Sequence, residues 1–84
     1  MDEAAARLDR CLGEAVRIQR VTQRLSQADL AKMVRVSTKT MGMFERGQNS
    51  MSMRKLLEVA TALGVELGDL VQHATALQAE GFGE

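Results

Sequence analysis

Residues 26–47 read Ser26-Gln27-Ala28-Asp29-Leu30-Ala31-Lys32-Met33-Val34-Arg35-Val36-Ser37-Thr38-Lys39-Thr40-Met41-Gly42-Met43-Phe44-Glu45-Arg46-Gly47, and this stretch decides the fold. Ser26 is placed to cap a helix. Its hydroxyl can accept from a backbone N–H that has no partner inside the helix, and Asp29 stands at the third helical position. Leu30, Ala31 and Val34 then share one side, which predicts a short helix over about 27–34. Ser37 is a second cap. The helix after it runs from Thr38 to about Arg46, with Met41 and Phe44 turned to the core. Gly47 stops it, because glycine tolerates positive φ. Two short capped helices joined by Val34-Arg35-Val36 make a helix-turn-helix over residues 27–46. The small Ala31 allows the second helix to cross close over the first.

Working outward, three more helices follow. One precedes the pair, over Glu3–Thr22, with Leu8, Leu12 and Ala15 recurring at helical spacing. After the polar linker Gln48-Asn49-Ser50-Met51, Ser52 caps a fourth. Its predicted buried stripe is Met53, Leu56, Leu57, Ala60 and Leu63, and Gly64 ends it. A fifth begins near Leu67, with Leu67, Leu70, Val71, Ala74 and Leu77 on one side. The tail, residues 80–84, is expected to fray. No strand pattern or internal repeat is present. The expected fold is all-α: one compact five-helix domain over residues 1–84.

Composition agrees. Hydrophobic residues are 45% and charged residues 26%, which suits a globular chain and not a disordered one. Absence of proline and only two aromatics, Phe44 and Phe82, favour helix over strand. No stretch is long and apolar enough to span a membrane, and the acidic start lacks an apolar leader, so a cytoplasmic protein is expected. The lone Cys11 forms no intramolecular disulfide or metal cluster, and reads as a small buried helix residue. His73 has no acidic or cysteine partner at ligand spacing and reads as a surface residue. No paired carboxylates, nucleophile motif or phosphate-cradling loop appears, so neither an enzyme nor a bound cofactor is expected.

Net charge is zero, but unevenly distributed. Residues 15–55 carry nine basic and two acidic groups, whereas residues 56–84 carry five acidic and no basic ones. A basic middle between acidic ends can offer one positive face to a polyanion. At 100° per residue, Thr38, Lys39, Gly42 and Met43 cluster opposite Met41 and Phe44. Glycine inside a helix costs about 1 kcal/mol relative to alanine. One reading is that Gly42 lets the backbone approach a DNA groove, with Met43 on a thymine methyl and Lys39 on a guanine edge or phosphate. The plainer reading is an accidental glycine beside a stray surface methionine.

These residues resemble the Cro/lambda-repressor-like helix-turn-helix family, also called the Xre family, over about residues 12–71. The likeness rests on Leu12-Gly13-Glu14, Arg17 and Arg20; Leu25-Ser26-Gln27-Ala28-Asp29-Leu30-Ala31; Val36-Ser37; and Phe44-Glu45-Arg46-Gly47. It continues through Leu56-Leu57-Glu58-Val59-Ala60 and Leu63-Gly64-Val65 to Leu70. The resemblance implies a lambda-repressor-like fold and sequence-specific binding of double-stranded DNA by helix 38–46. It places Gln27 and Thr40 on phosphates, Thr38, Lys39 and Met43 on bases, and Asn49 and Ser50 in a phosphate-gripping loop. Ser37, Gly42 and Arg46 complete the expected DNA-binding set. Arg20 and Glu45 match an internal ion pair of the family. Departures are Arg35 and Arg24 where the family has glycine, and Met51 where it has proline. Arg35 must then adopt positive φ or the turn must differ.

The resemblance implies a transcriptional regulator, most simply a repressor that binds a palindrome as a homodimer. Ala74 and Leu77 are the candidate dimer surface, although Leu77 could equally complete the chain's own core. An antitoxin, a phage regulator or a restriction-system controller would share the fold, and a toxin or anti-repressor would then be a protein partner. From another class, the chain could be a protein-interaction module that has lost DNA binding.

Overall fold

Side-chain caps start four of the five helices in the computed structural model, which describes residues 2–84. The helices are α1 (Glu3–Thr22), α2 (Gln27–Met33), α3 (Thr38–Glu45), α4 (Met53–Leu63) and α5 (Leu67–Ala79). Asp2, Ser26, Ser37 and Ser52 each accept from a first-turn N–H, while Glu66 opens α5 without a side-chain cap. No strand occurs among the described residues.

At α2 the cap is reciprocal. Ser26 Oγ accepts from the Asp29 N–H at 2.9 Å, and Asp29 Oδ2 accepts from the Ser26 N–H at 2.9 Å. The Ser26 N–H holds the Asp29 carboxyl below the ordinary Asp range. A depressed native pKa means that the unfolded chain binds the proton more readily, so this contribution is present at neutral pH and lost as pH falls. Two results are expected. Ser26→Ala should destabilise the domain by about 1 kcal/mol in denaturant melts. Asp29→Asn should be less stable than the parent at pH 7, and the gap should close as pH drops below the carboxylate range. A gap that is constant with pH would remove the carboxylate from the account.

The turns carry strain. Arg24 (φ 60°) and Arg35 (φ 61°) both lie in the left-handed region, each where glycine would be unstrained. The α2–α3 turn therefore keeps its shape by placing an arginine at positive φ. Lys55 Nζ helps by donating to the Val34 carbonyl at 2.7 Å, which closes the end of α2 from α4.

The main core joins Val16, Leu30, Ala31, Val34, Met41, Phe44, Val59, Ala60, Leu63 and Leu70. A second cluster, where α1 meets α5, consists of Cys11, Ala15 and Ala74, with Leu12 and Leu77 packed on it.

Four expectations are corrected. Leu8 and Val71 are exposed, because α1 and α5 use narrower stripes than their spacing allows. Met53 and Leu57 are 64% and 49% exposed, so the buried stripe of α4 is Val59, Ala60 and Leu63 with Leu56 half-buried. The tail folds back instead of fraying. Arg10 Nε donates to the Gly83 carbonyl at 2.9 Å, Arg7 pairs with Glu84 at 3.3 Å, and the Phe82 N–H caps the Leu77 carbonyl. Ala74 has no exposed surface, and Leu77 is half-buried beside Cys11 and Ala15. Ala74 is therefore spent on the chain's own core, and Leu77 packs on that core with part of its surface still exposed.

Candidate nucleic-acid interface

The outward side of α3 is held by a polar network behind it. Glu45, at the end of α3, has only 1% of its side chain exposed, and Arg20 of α1 has 10%. Their pairing is bidentate: Arg20 Nε to Oε2 at 2.7 Å and Nη2 to Oε1 at 2.9 Å. Arg20 Nη1 donates to the Leu25 carbonyl at 2.7 Å, and Gln27 Nε2 donates to Glu45 Oε1 at 3.0 Å. One network thus ties the end of α1, the α1–α2 turn, the start of α2 and the end of α3. A buried charge needs this degree of satisfaction.

This network also corrects the reading of Gly42. The residue is buried although its position on the helix is outward. On the helical circle it lies between the exposed Thr38 and Lys39, so it is covered by neighbouring side chains and not turned into the core. The Gln27 and Arg46 side chains lie across it, each near where a Cβ would stand. Gly42 makes room for those two side chains. Met43 is half-buried, as are Gln27, Thr40 and Asn49.

Thr38 and Lys39 remain exposed on the first turn of α3. The Ser37 hydroxyl is spent locally: its oxygen accepts from the Thr40 N–H and its proton goes to Thr40 Oγ1, both at 2.9 Å. That leaves the Thr40 hydroxyl proton free to donate outward. Gln27 keeps one side-chain N–H beyond its bond to Glu45. Arg46, the C-cap residue of α3, is exposed, with Nε on Gln48 Oε1 at 3.2 Å. In the following loop Ser50 is exposed, and Asn49 is half-buried with its Oδ1 buried and unpartnered among the described residues.

The charge pattern is sharpened by folding. Of the nine basic groups in residues 15–55, Arg17, Arg20 and Lys55 are bound to Glu14, Glu45 and Glu58. The Arg17 hydrogen bond holds the Glu14 carboxyl below its usual range, and Glu14 in turn raises the Arg17 guanidinium. Arg24, Lys32, Arg35, Lys39, Arg46 and Arg54 make no ion pair among the described residues and stand exposed. Of these, Lys39 lies on α3 and Arg46 caps its end, and exposed cations there suit a polyanionic partner.

Sequence reasoning missed two supporting residues. Lys55 had only its charge to announce it, and its bond to Val34 depends on tertiary placement. Gly13 carried a signal, a glycine inside a long helix: it lets α1 touch the backbone at the end of α3. No helix among the described residues is long and apolar enough to cross a membrane.

Comparison with known proteins agrees with this geometry. The helix-turn-helix family pattern matches residues 16–70. The crystal structure of the clp gene regulator ClgR from Corynebacterium glutamicum is 34% identical with a TM-score of 0.82, covering 88% of this chain and 82% of that one. The restriction-modification controller protein C.AhdI from Aeromonas hydrophila is 34% identical with a TM-score of 0.70, covering 73% of this chain and 92% of that one. FeII HppE in complex with substrate is 22% identical with a TM-score of 0.69 over 36% of its own chain, a likeness of fold alone. The curated proteins returned no match. The capped helix pair, the buried pair Arg20–Glu45 and these likenesses place the chain in the Cro/lambda-repressor-like (Xre) helix-turn-helix family, a family of DNA-binding transcription regulators.

Proposed function

We propose that this chain is a cytoplasmic repressor that acts by binding alone, as a homodimer on a palindromic operator. The observation that carries it is the exposure of Thr38 and Lys39 on a helix whose other side is fixed by Glu45. Helix α3 enters the major groove, where Thr38 and Lys39 meet base edges. The free proton of Thr40, the remaining N–H of Gln27, and Arg46, Asn49 and Ser50 hold phosphates and set register. One domain covers a half-site, so two copies on half-sites about 34 Å apart supply useful affinity. Repression follows from exclusion of polymerase. The likeness to ClgR, a clp gene regulator, and to C.AhdI, a restriction-modification controller, supports a regulatory role, with control of restriction genes as one narrower form of it.

The test is a fluorescence-anisotropy titration against the duplex upstream of the chain's own gene, at several salt concentrations. Binding should weaken steeply with salt. Lys39→Ala should cost about 1–3 kcal/mol, roughly 5- to 150-fold in Kd, at the preferred sequence. A folded protein that binds no duplex at low salt would sink the proposal and favour a protein-interaction module.

A further inference from the structure

We infer that two copies of this chain pair through the outward face of α4, antiparallel about a two-fold axis. The inference rests on the homodimer reading above and supplies its surface. Met53, Leu57 and Thr61 recur every four residues and so share one face of α4. Two of them are large apolar side chains left outside the core, Met53 at 64% and Leu57 at 49% exposure. Met33, at the end of α2, is 52% exposed and joins Leu57 and Thr61 in lining a groove between α2 and α4. Solitary exposed apolars are ordinary, but Met33 and Leu57 share one groove and Met53 stands one turn before Leu57 on the same helix face, and such a cluster marks an interaction surface.

The charges on this face identify the occupant. Arg54 and Glu58 also line the groove, one helical turn apart, on either side of Leu57 in sequence. In an antiparallel pair related by a two-fold axis, the N-terminal end of one helix lies against the C-terminal end of the other. Arg54 of each copy then meets Glu58 of its mate, with the two Leu57 side chains between them. The face is complementary to itself, which an isologous interface requires. Arg54 makes no ion pair among the described residues. Glu58 gives Oε1 to Lys55 at 3.1 Å and keeps Oε2 for the partner. A specific interface needs about 500 Å² from each copy, about a tenth of this chain's 5149 Å² of surface. The face uses none of Thr38, Lys39, Asn49 or Ser50, so pairing leaves the proposed DNA contacts open.

Charge reversal tests the geometry. Mass is read by light scattering, folding by circular dichroism, and half-site binding by anisotropy. The parent chain should be dimeric. Leu57→Lys should be monomeric yet folded, since Leu57 lies outside the core. Arg54→Glu and Glu58→Arg should each weaken the dimer at least about tenfold by setting like charges together. Mixing those two variants should restore dimers, because opposite charges then face each other at both ends of the mixed pair. The double reversal should restore them in one chain. A parent that stays monomeric, or a dimer that survives both Leu57→Lys and Arg54→Glu, would overturn the inference. Dimer loss with half-site binding kept isolates this surface, whereas a parent dimer that binds no duplex fails the operator reading alone.

Discussion

Glu45→Ala should lower the stability of the domain by about 3–5 kcal/mol, because it strands the buried Arg20 guanidinium without a counter-charge. The same change frees the Gln27 side chain, which donates to Glu45 at 3.0 Å. In a domain of this size each kcal/mol moves Tm by about 4–8 °C, so the midpoint should fall by more than about 12 °C. The charge itself is not what the fold needs. Replacing both partners, Arg20→Met with Glu45→Leu, should leave stability near the parent or above it, since two desolvated ions are exchanged for apolar packing. What the double variant loses is the polar link from α2 to α3. Its operator affinity should drop while its Tm does not. A Glu45→Ala midpoint within a few degrees of the parent would mean that water reaches Arg20 and that the network does not hold α3.

Gly13→Ala should destabilise by about 3 kcal/mol, at the upper end of what one added methyl does in a packed interior. A Cβ at Gly13 collides with the Phe44 carbonyl and lies 2.7 Å from the Glu45 carbonyl oxygen. Both obstacles are backbone, which cannot rotate away. Helix α1 must then back off from α3, and the Arg20–Glu45 bonds of 2.7 and 2.9 Å stretch with it. Stability and half-site affinity should therefore fall together. A Gly42→Ala control should be mild, because its Cβ would meet only the movable ends of Arg46 and Gln27. If Gly13→Ala proves as mild as Gly42→Ala, the close approach of α1 to α3 is not a constraint.

Local and long-range features were not equally legible. The caps Ser26, Ser37 and Ser52 and the stop at Gly47 act on their own backbone within a few residues, so each could be read from a short window. Arg35 at positive φ was one of two alternatives that the family resemblance left, since the family has glycine in that turn. Arg20 and Glu45 are 25 residues apart, and only the family resemblance suggested that they meet. Lys55 on the Val34 carbonyl had no signal beyond its charge.

By itself, then, the sequence determined the five helices, their ends, the helix-turn-helix and the basic segment, because short-range sterics and hydrogen bonds decide these. The tertiary structure decided which part of each apolar stripe is buried. It left Met53 and Leu57 outside, because α4 touches its neighbours through Val59, Ala60 and Leu63. It drew Gly42 beneath Gln27 and Arg46, and folded the tail onto Arg10. Periodicity fixes the direction of a side chain from its own helix axis, but burial depends on what stands opposite. That is set only when helices distant in sequence pack together.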